Sequence, residues 1–172
     1  MSQIDETLKA NEDYARRFAG GNTSLPPARK LAVVACMDAR IQVSQILGLK
    51  TGDAHIIRNA GGIVTEDALR SLILSHHLLG TQEFMIINHT GCGMLTFRDE
   101  EVRARLEKAT GSFPVAPARF YAFPDLETNV REQIQRVRSH PWIPQEVSVR
   151  GFIYDVKTGR LQEVGAARAG AP

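Results

Sequence analysis

The chain has 172 residues, 43% of them hydrophobic and 23% charged, an ordinary globular composition that excludes disorder, collagen and coiled coil. That length supports one buried core rather than two. Twenty-one basic against nineteen acidic side chains leave a net charge of +2, too small a surplus for nucleic acid or a membrane surface as the main partner. No apolar run reaches the roughly 20 residues of a membrane span. The opening MSQIDETLKANEDYARRF is charged where a secretory signal is apolar. Two cysteines cannot build a disulfide framework, so a cytoplasmic protein with free or metal-binding thiols is expected.

Residues 3–18 have helical spacing: Ile4, Leu8, Ala15 and Phe18 share a face, with acids early and Arg16 and Arg17 late. Gly20, Gly21, Pro26 and Pro27 then make a linker. Residues 1–20 are therefore an arm on a single domain spanning 1–172. LAVVA, residues 31–35, is a strand buried on both faces. It stops at Cys36-Met37-Asp38-Ala39-Arg40, and residues 41–49 follow with helical spacing. AHIIRN, 54–59, is a second strand, ended by Gly61 and Gly62. Residues 64–79 predict a helix with Gly80 as its stop. EFMIIN, 83–88, is a third buried strand, followed by the turn HTGCG and a helix over 94–109. Prolines interrupt 111–124. Residues 125–140 form an amphipathic helix with Asp125 as N-cap. Residues 147–164 read as two strands around Lys157-Thr158-Gly159-Arg160, a hairpin signal. The small, featureless residues 165–172 are expected to fray.

This alternation predicts an α/β fold: a mainly parallel central sheet flanked by helices, an antiparallel edge hairpin and an N-terminal helical arm. In such sheets, sites form outside the carboxyl ends of the strands. Cys36 follows the first strand and His89 the third. His89 and Cys92, in a tight glycine turn, present an imidazole and a thiolate to one ion. Neighbouring strands lie about 4.8 Å apart, so Cys36 can reach the same point. Two cysteines and one histidine with a fourth position free are a zinc set, and three protein ligands plus water is the catalytic pattern. Asp38 and Arg40 alternate with Cys36 and turn the same way in an extended segment. Asp38 either accepts a hydrogen bond from zinc-bound water or fills the fourth position itself. A helix starting near Met94 would aim its positive end at Cys92. The backbone N–H of Gly93 would steady a developing oxyanion.

Cys36-Met37-Asp38-Ala39-Arg40 followed by His89-Thr90-Gly91-Cys92 resembles the β-class carbonic anhydrases. The resemblance runs from about Lys30 to Val164. It includes Arg58-Asn59-Ala60-Gly61-Gly62 and Tyr154-Asp155-Val156, and it is to the minimal, archaeal-like branch. It implies zinc on Cys36, His89 and Cys92, a catalytic Asp38–Arg40 dyad, and a cleft lined by Asn59, Ala60, Gly61 and Gly62. It implies reversible hydration of carbon dioxide to bicarbonate and a proton by a zinc-bound hydroxide. It also implies a homodimer or homotetramer whose N-terminal helix crosses onto the neighbour. Pro27 stands where plant-like members carry a glutamine. An alternative activity on the same zinc site is hydrolysis of carbonyl sulfide or carbon disulfide. A non-catalytic zinc scaffold closed by Asp38 is a further alternative. A thiol-phosphatase loop needs cysteine and arginine six positions apart, and here they are four apart.

Overall fold

The computed structural model describes residues 1–165. Five strands form one sheet: β1 (Leu31–Cys36), β2 (Ala54–Asn59), β3 (Glu83–His89), β4 (Ser148–Tyr154) and β5 (Leu161–Val164). Their order is β2-β1-β3-β4-β5. The first four are mutually parallel, and β5 runs antiparallel to β4 with Tyr154 opposite Leu161. The hairpin between them closes on the Asp155 carboxylate, which accepts from the N–H groups of Lys157 and Thr158. Gly159 there has φ +72, a conformation that glycine adopts without a Cβ clash. The sheet is thus mainly parallel with an antiparallel edge.

The helices are α1 (Gln3–Ala15), α2 (Val43–Ile46), α3 (Glu66–Leu79), α4 (Asp99–Thr110) and α5 (Leu126–Arg138). Alternation along the strands divides the core. Ala32, Val34, Phe84, Ile86 and Val149 face Leu72 of α3 and Val130, Ile134 and Val137 of α5. Val33, Ala35 and Ile87 face the other way, toward Ile41, Val43, Met94 and Phe123. One face therefore carries two full helices. The other carries short turns and loop residues, and the candidate ligands belong to that side. Gly151 is the close-approach point under α5: a Cβ there would lie 2.4 Å from Val130 Cγ1.

Three boundaries differ from the sequence pattern. The helix expected over 41–49 is a single turn, because Gln42 supplies no side-chain cap and Gly48 at φ +60 ends it. The helix expected from Met94 begins at Asp99. Gly93–Leu95 is a separate 3₁₀ turn, and the Thr96 hydroxyl donates to Gly93 O at 2.7 Å. Arg98 is extended, with its N–H on the Glu101 carboxylate. Helix α1 stops at Ala15 rather than Phe18, although Phe18 still meets Tyr14, ring centroids 5.5 Å apart. Asp125 caps α5 by accepting from Thr128 N–H at 2.7 Å, and Gly80 ends α3 in the left-handed region. The expected fraying tail, 165–172, lies outside the described residues except for Gly165. Among the described residues no helix is long and apolar enough to cross a membrane.

Candidate metal centre

Strand β1 neighbours β2 on one side and β3 on the other. The chain leaves β1 for one flank and later returns to the opposite flank, so β1 and β3 bracket the topological switch point. Cys36 ends β1 and His89 ends β3. Cys92 lies three residues on, after Gly91 at φ +63 turns the chain. The sulfurs of Cys36 and Cys92 and a ring nitrogen of His89 all lie within 4.8 Å of one another, and all three residues are buried.

The donor chemistry of this cluster fits a divalent cation. His89 Nδ1 lies 3.0 Å from Thr90 O. A carbonyl only accepts, so Nδ1 carries the proton and Nε2 presents a lone pair. That Nε2 is buried and has no hydrogen-bond partner, an arrangement that costs free energy unless a ligand satisfies it. The thiols are free and share one charge. Cys36 is held well below the usual thiol range, first by the hydrogen bond from the Cys92 thiol, then by His89 and by the N–H groups of Asp38 and Gly61. The same bond, with burial, pushes Cys92 up, while the Met94 N–H opposes that rise. Burial disfavours the His89 cation, but the adjoining Cys36 sulfur more than offsets this and raises the imidazole.

Asp38 and Arg40 stand beside the cluster. Arg40 donates from Nε to Asp38 Oδ1 at 2.9 Å and from Nη2 to Oδ2 at 2.7 Å, a two-pronged pair. Its backbone N–H also reaches Oδ1, and Nη2 donates to Gly91 O at 3.0 Å. The guanidinium thus joins the segment after β1 to the turn before Cys92. It holds the Asp38 carboxyl well below the ordinary carboxylate range, and Arg40 is raised in return. Asp38 Oδ2 lies 3.6 Å from His89 Nε2. Asp38 is thus paired with Arg40.

The other sequence candidates sit around this point. Asn59 turns both ends of its amide onto Ile63: Nδ2 donates to Ile63 O and Oδ1 accepts from Ile63 N–H. Ala60, Gly61 and Gly62 form a 3₁₀ turn. Gly62, at φ +62, is a true close approach, because a Cβ there would lie 2.8 Å from Cys36 N. Gly93 opens the short turn after Cys92, but the N–H that reaches the Cys92 sulfur is that of Met94. A three-residue turn, not the start of a long helix, therefore faces this thiol. His55 bonds Ser75 Oγ, His76 bonds Thr81 O and His77 bonds Trp142 O, all remote from the ligands in sequence.

Two features escaped the sequence pattern. Arg58 of β2 donates to Cys36 O at 3.0 Å and to Asp38 O at 2.8 Å, fixing the backbone between ligand and carboxylate. Asp99 accepts from the N–H groups of Phe120, Tyr121 and Ala122, which seats the proline-interrupted loop. That loop delivers Phe123 to the cluster of Cys36, Cys92 and Met94. A broad cleft of about 1150 Å³ runs beside the site, lined by Ile63, Phe97, Phe123 and Gln133 among others. It contains none of the three ligands, and the ligand chemistry rather than cleft size identifies the centre.

A protein-family model for carbonic anhydrase matches residues 31–161. The β-carbonic anhydrase 1 of Mycobacterium tuberculosis is 44% identical over 164 residues, spanning 95% of this chain and 99% of that protein. A carbon disulfide hydrolase of Acidianus sp. is 37% identical over 182 residues, spanning 93% and 88% respectively. Among solved structures, the carbonic anhydrase of Streptococcus mutans superposes with a TM-score of 0.87 at 42% identity, over 96% of this chain and 99% of that one.

Proposed function

The chain belongs to the β-class carbonic anhydrases, and from that premise we propose how its own residues carry the reaction. The protein is a zinc enzyme that interconverts carbon dioxide and bicarbonate with release of a proton. Cys36, His89 and Cys92 hold the zinc. The supporting observation is the buried, partnerless His89 Nε2 facing two thiols. Zinc held by this set would lower the pKa of a bound water and supply hydroxide near neutral pH. Asp38 acts as acceptor. With its carboxyl kept ionised by Arg40, it would accept a hydrogen bond from that water and so orient it for reaction. Arg40 is the positioning partner. The Gly93 N–H steadies charge on the substrate oxygen, and Asn59, Ala60, Gly61 and Gly62 form the wall behind Cys36. The same ligands suit the carbon disulfide reaction, and the higher identity stands with the carbonic anhydrase.

The single-domain reading, 1–172 with an arm at 1–20, extends to assembly. Helix α1 has no buried residue, and Ile4 and Leu8 are 70% and 60% exposed. Such a stripe supports a homodimer in which each arm lies on its neighbour, with a homotetramer built from two such pairs. Free thiols support a reducing, cytoplasmic setting.

The test is stopped-flow hydration of carbon dioxide by protein carrying about one zinc per chain, with carbon disulfide as the second substrate. Hydration is expected, rising from about pH 6 to about pH 9. Asp38 is already ionised throughout that range, so the rise does not come from its titration. Asp38→Ala is expected to keep its zinc and lose about 10- to 100-fold in turnover. Full activity in that variant would remove Asp38 from the reaction. Turnover of carbon disulfide alone would overturn the substrate reading.

A further inference from the structure

Three side-chain amides form a closed circuit behind the metal ligands. Asn88 precedes His89 in β3, so its side chain leaves the sheet on the opposite face. Asn88 Nδ2 donates to Gly61 O at 2.9 Å and to Gly62 O at 3.3 Å. Its Oδ1 accepts from Asn129 Nδ2 at 2.6 Å. Asn129 Oδ1 accepts from Gln133 Nε2 at 3.0 Å, one turn along α5. Gln133 Oε1 accepts from Val64 N–H at 2.9 Å. The circuit begins and ends on the same turn, 61–64, and all three amides are buried.

The direction of every bond follows from the ends. The glycine carbonyls only accept and the Val64 N–H only donates. With those fixed, Asn88, Asn129 and Gln133 each have one orientation that satisfies both neighbours. Reversing any amide would bury at least two unmatched pairs. A polar circuit inside an apolar core is costly unless complete, and this one closes.

The turn it grips touches the metal centre. The Gly61 N–H faces the Cys36 sulfur and is among the groups that hold its thiol low, and Asn59, just before that turn, pairs with Cys36 across β1 and β2. Gly62 lies so near that a Cβ would meet Cys36 N at 2.8 Å and Asn88 Nδ2 at 2.9 Å. A thiolate that shares its charge with an N–H gives less of it to a metal, and such surrounding bonds tune metal sites. We propose that Asn88, Asn129 and Gln133 are positioning residues that keep the Gly61 N–H on the Cys36 sulfur and thereby set how strongly that sulfur donates to zinc. None of the three touches substrate. The inference rests on the zinc reading above.

Gln133→Met is the informative variant. It is neutral, close in volume and bonded to no ligand, yet it cuts the circuit at both of its bonds. Cobalt-substituted wild type and variant would be compared by absorption, and zinc enzymes by pH–rate profile. The variant is expected to bind one metal, to move its sulfur-to-cobalt charge-transfer band to lower energy, and to shift its hydration midpoint toward higher pH. Hydration near pH 7 should fall about 10-fold, with the deficit closing at alkaline pH. A variant with lower Tm but an unchanged band and unchanged midpoint would reduce the circuit to core packing. If Gln133→Met does not fold, wild type loaded with cadmium-113 decides the matter. Scalar coupling from cadmium to the Gly61 amide proton is expected, and its absence overturns the proposal. Wild type that takes up neither cobalt nor cadmium would instead overturn the zinc reading, and this inference with it.

Discussion

The metal centre and the amino-terminal arm treat their side chains in opposite ways. At the ends of β1 and β3 the ligands are buried, and the surrounding groups are bonded in series from Arg58 through Asp38 to Arg40 and Gly91. Helix α1 is held by local bonds within its own segment. Ser2 and Asp5 form a capping box, in which the Ser2 hydroxyl accepts from Asp5 N–H and the Asp5 carboxylate accepts from Ser2 N–H. Beyond that it buries nothing of its own. A helix of 13 residues is marginal in water without tertiary support. The difference teaches that one chain suffices to bring the candidate ligands together, whereas among the described residues the arm finds no surface on which to bury its apolar stripe.

The strongest break at the site end is His89→Ala. It deletes the orphaned nitrogen and leaves two thiols without their third ligand. Zinc content is expected to fall from about one per chain toward zero, and hydration to the rate of buffer. The arm should be indifferent: the oligomer mass by light scattering should match that of wild type. If His89→Ala retained stoichiometric zinc, the assignment of the ligand set would fail.

The matching break at the other end is Leu8→Glu. It places a charge in the exposed stripe of Ile4, Leu8 and Phe18 without touching the body. The expected outcome is a smaller oligomer by light scattering, with zinc content unchanged. Loss of a fully covered leucine costs about 2–3 kcal/mol per interface side, and the two sides of a dimer together would move its equilibrium by roughly 1,000- to 20,000-fold. An unchanged mass at high dilution would show that α1 is not the covering element.

The same contrast explains what could be read before the structure. The candidate ligands and the Asp38–Arg40 pair stand out in the sequence because they follow strands whose apolar runs end at Cys36 or two residues before His89. A short run of β-branched residues, then Cys36 or His89, needs no distant information. The circuit of Asn88, Asn129 and Gln133 was not legible. Its partners are 41 and 69 positions apart along the chain, and an asparagine ending a strand looks like any strand end. The true start of α4 was hidden for a similar reason. Residues 94–98 have helical character, but the carboxylate that fixes the boundary answers to N–H groups 21 to 23 residues away.

Helix α4 sharpens the comparison, because by burial it resembles the arm: it too has no buried residue. It differs in being tied to its own chain. Arg103 donates to the carbonyls of Pro117 and Ala118, and one turn earlier Asp99 accepts three N–H groups. Asp99→Asn should make α4 more arm-like, since an amide offers one acceptor and turns an N–H toward another N–H. Desolvation alone would raise the Asp99 carboxyl, but the three N–H donors more than offset it and hold the pKa below the ordinary carboxylate value. A group with a lowered folded pKa stabilises fully above the unfolded value and loses that contribution as pH falls through the folded one. The stability gap between wild type and Asp99→Asn is therefore widest at neutral pH, about 1 kcal/mol for a half-exposed site, and narrows below about pH 4. Urea unfolding at about pH 7 and about pH 3 measures it. A gap equally wide at both would mean that the charge is irrelevant and that α4 is seated by Arg103 and the loop alone.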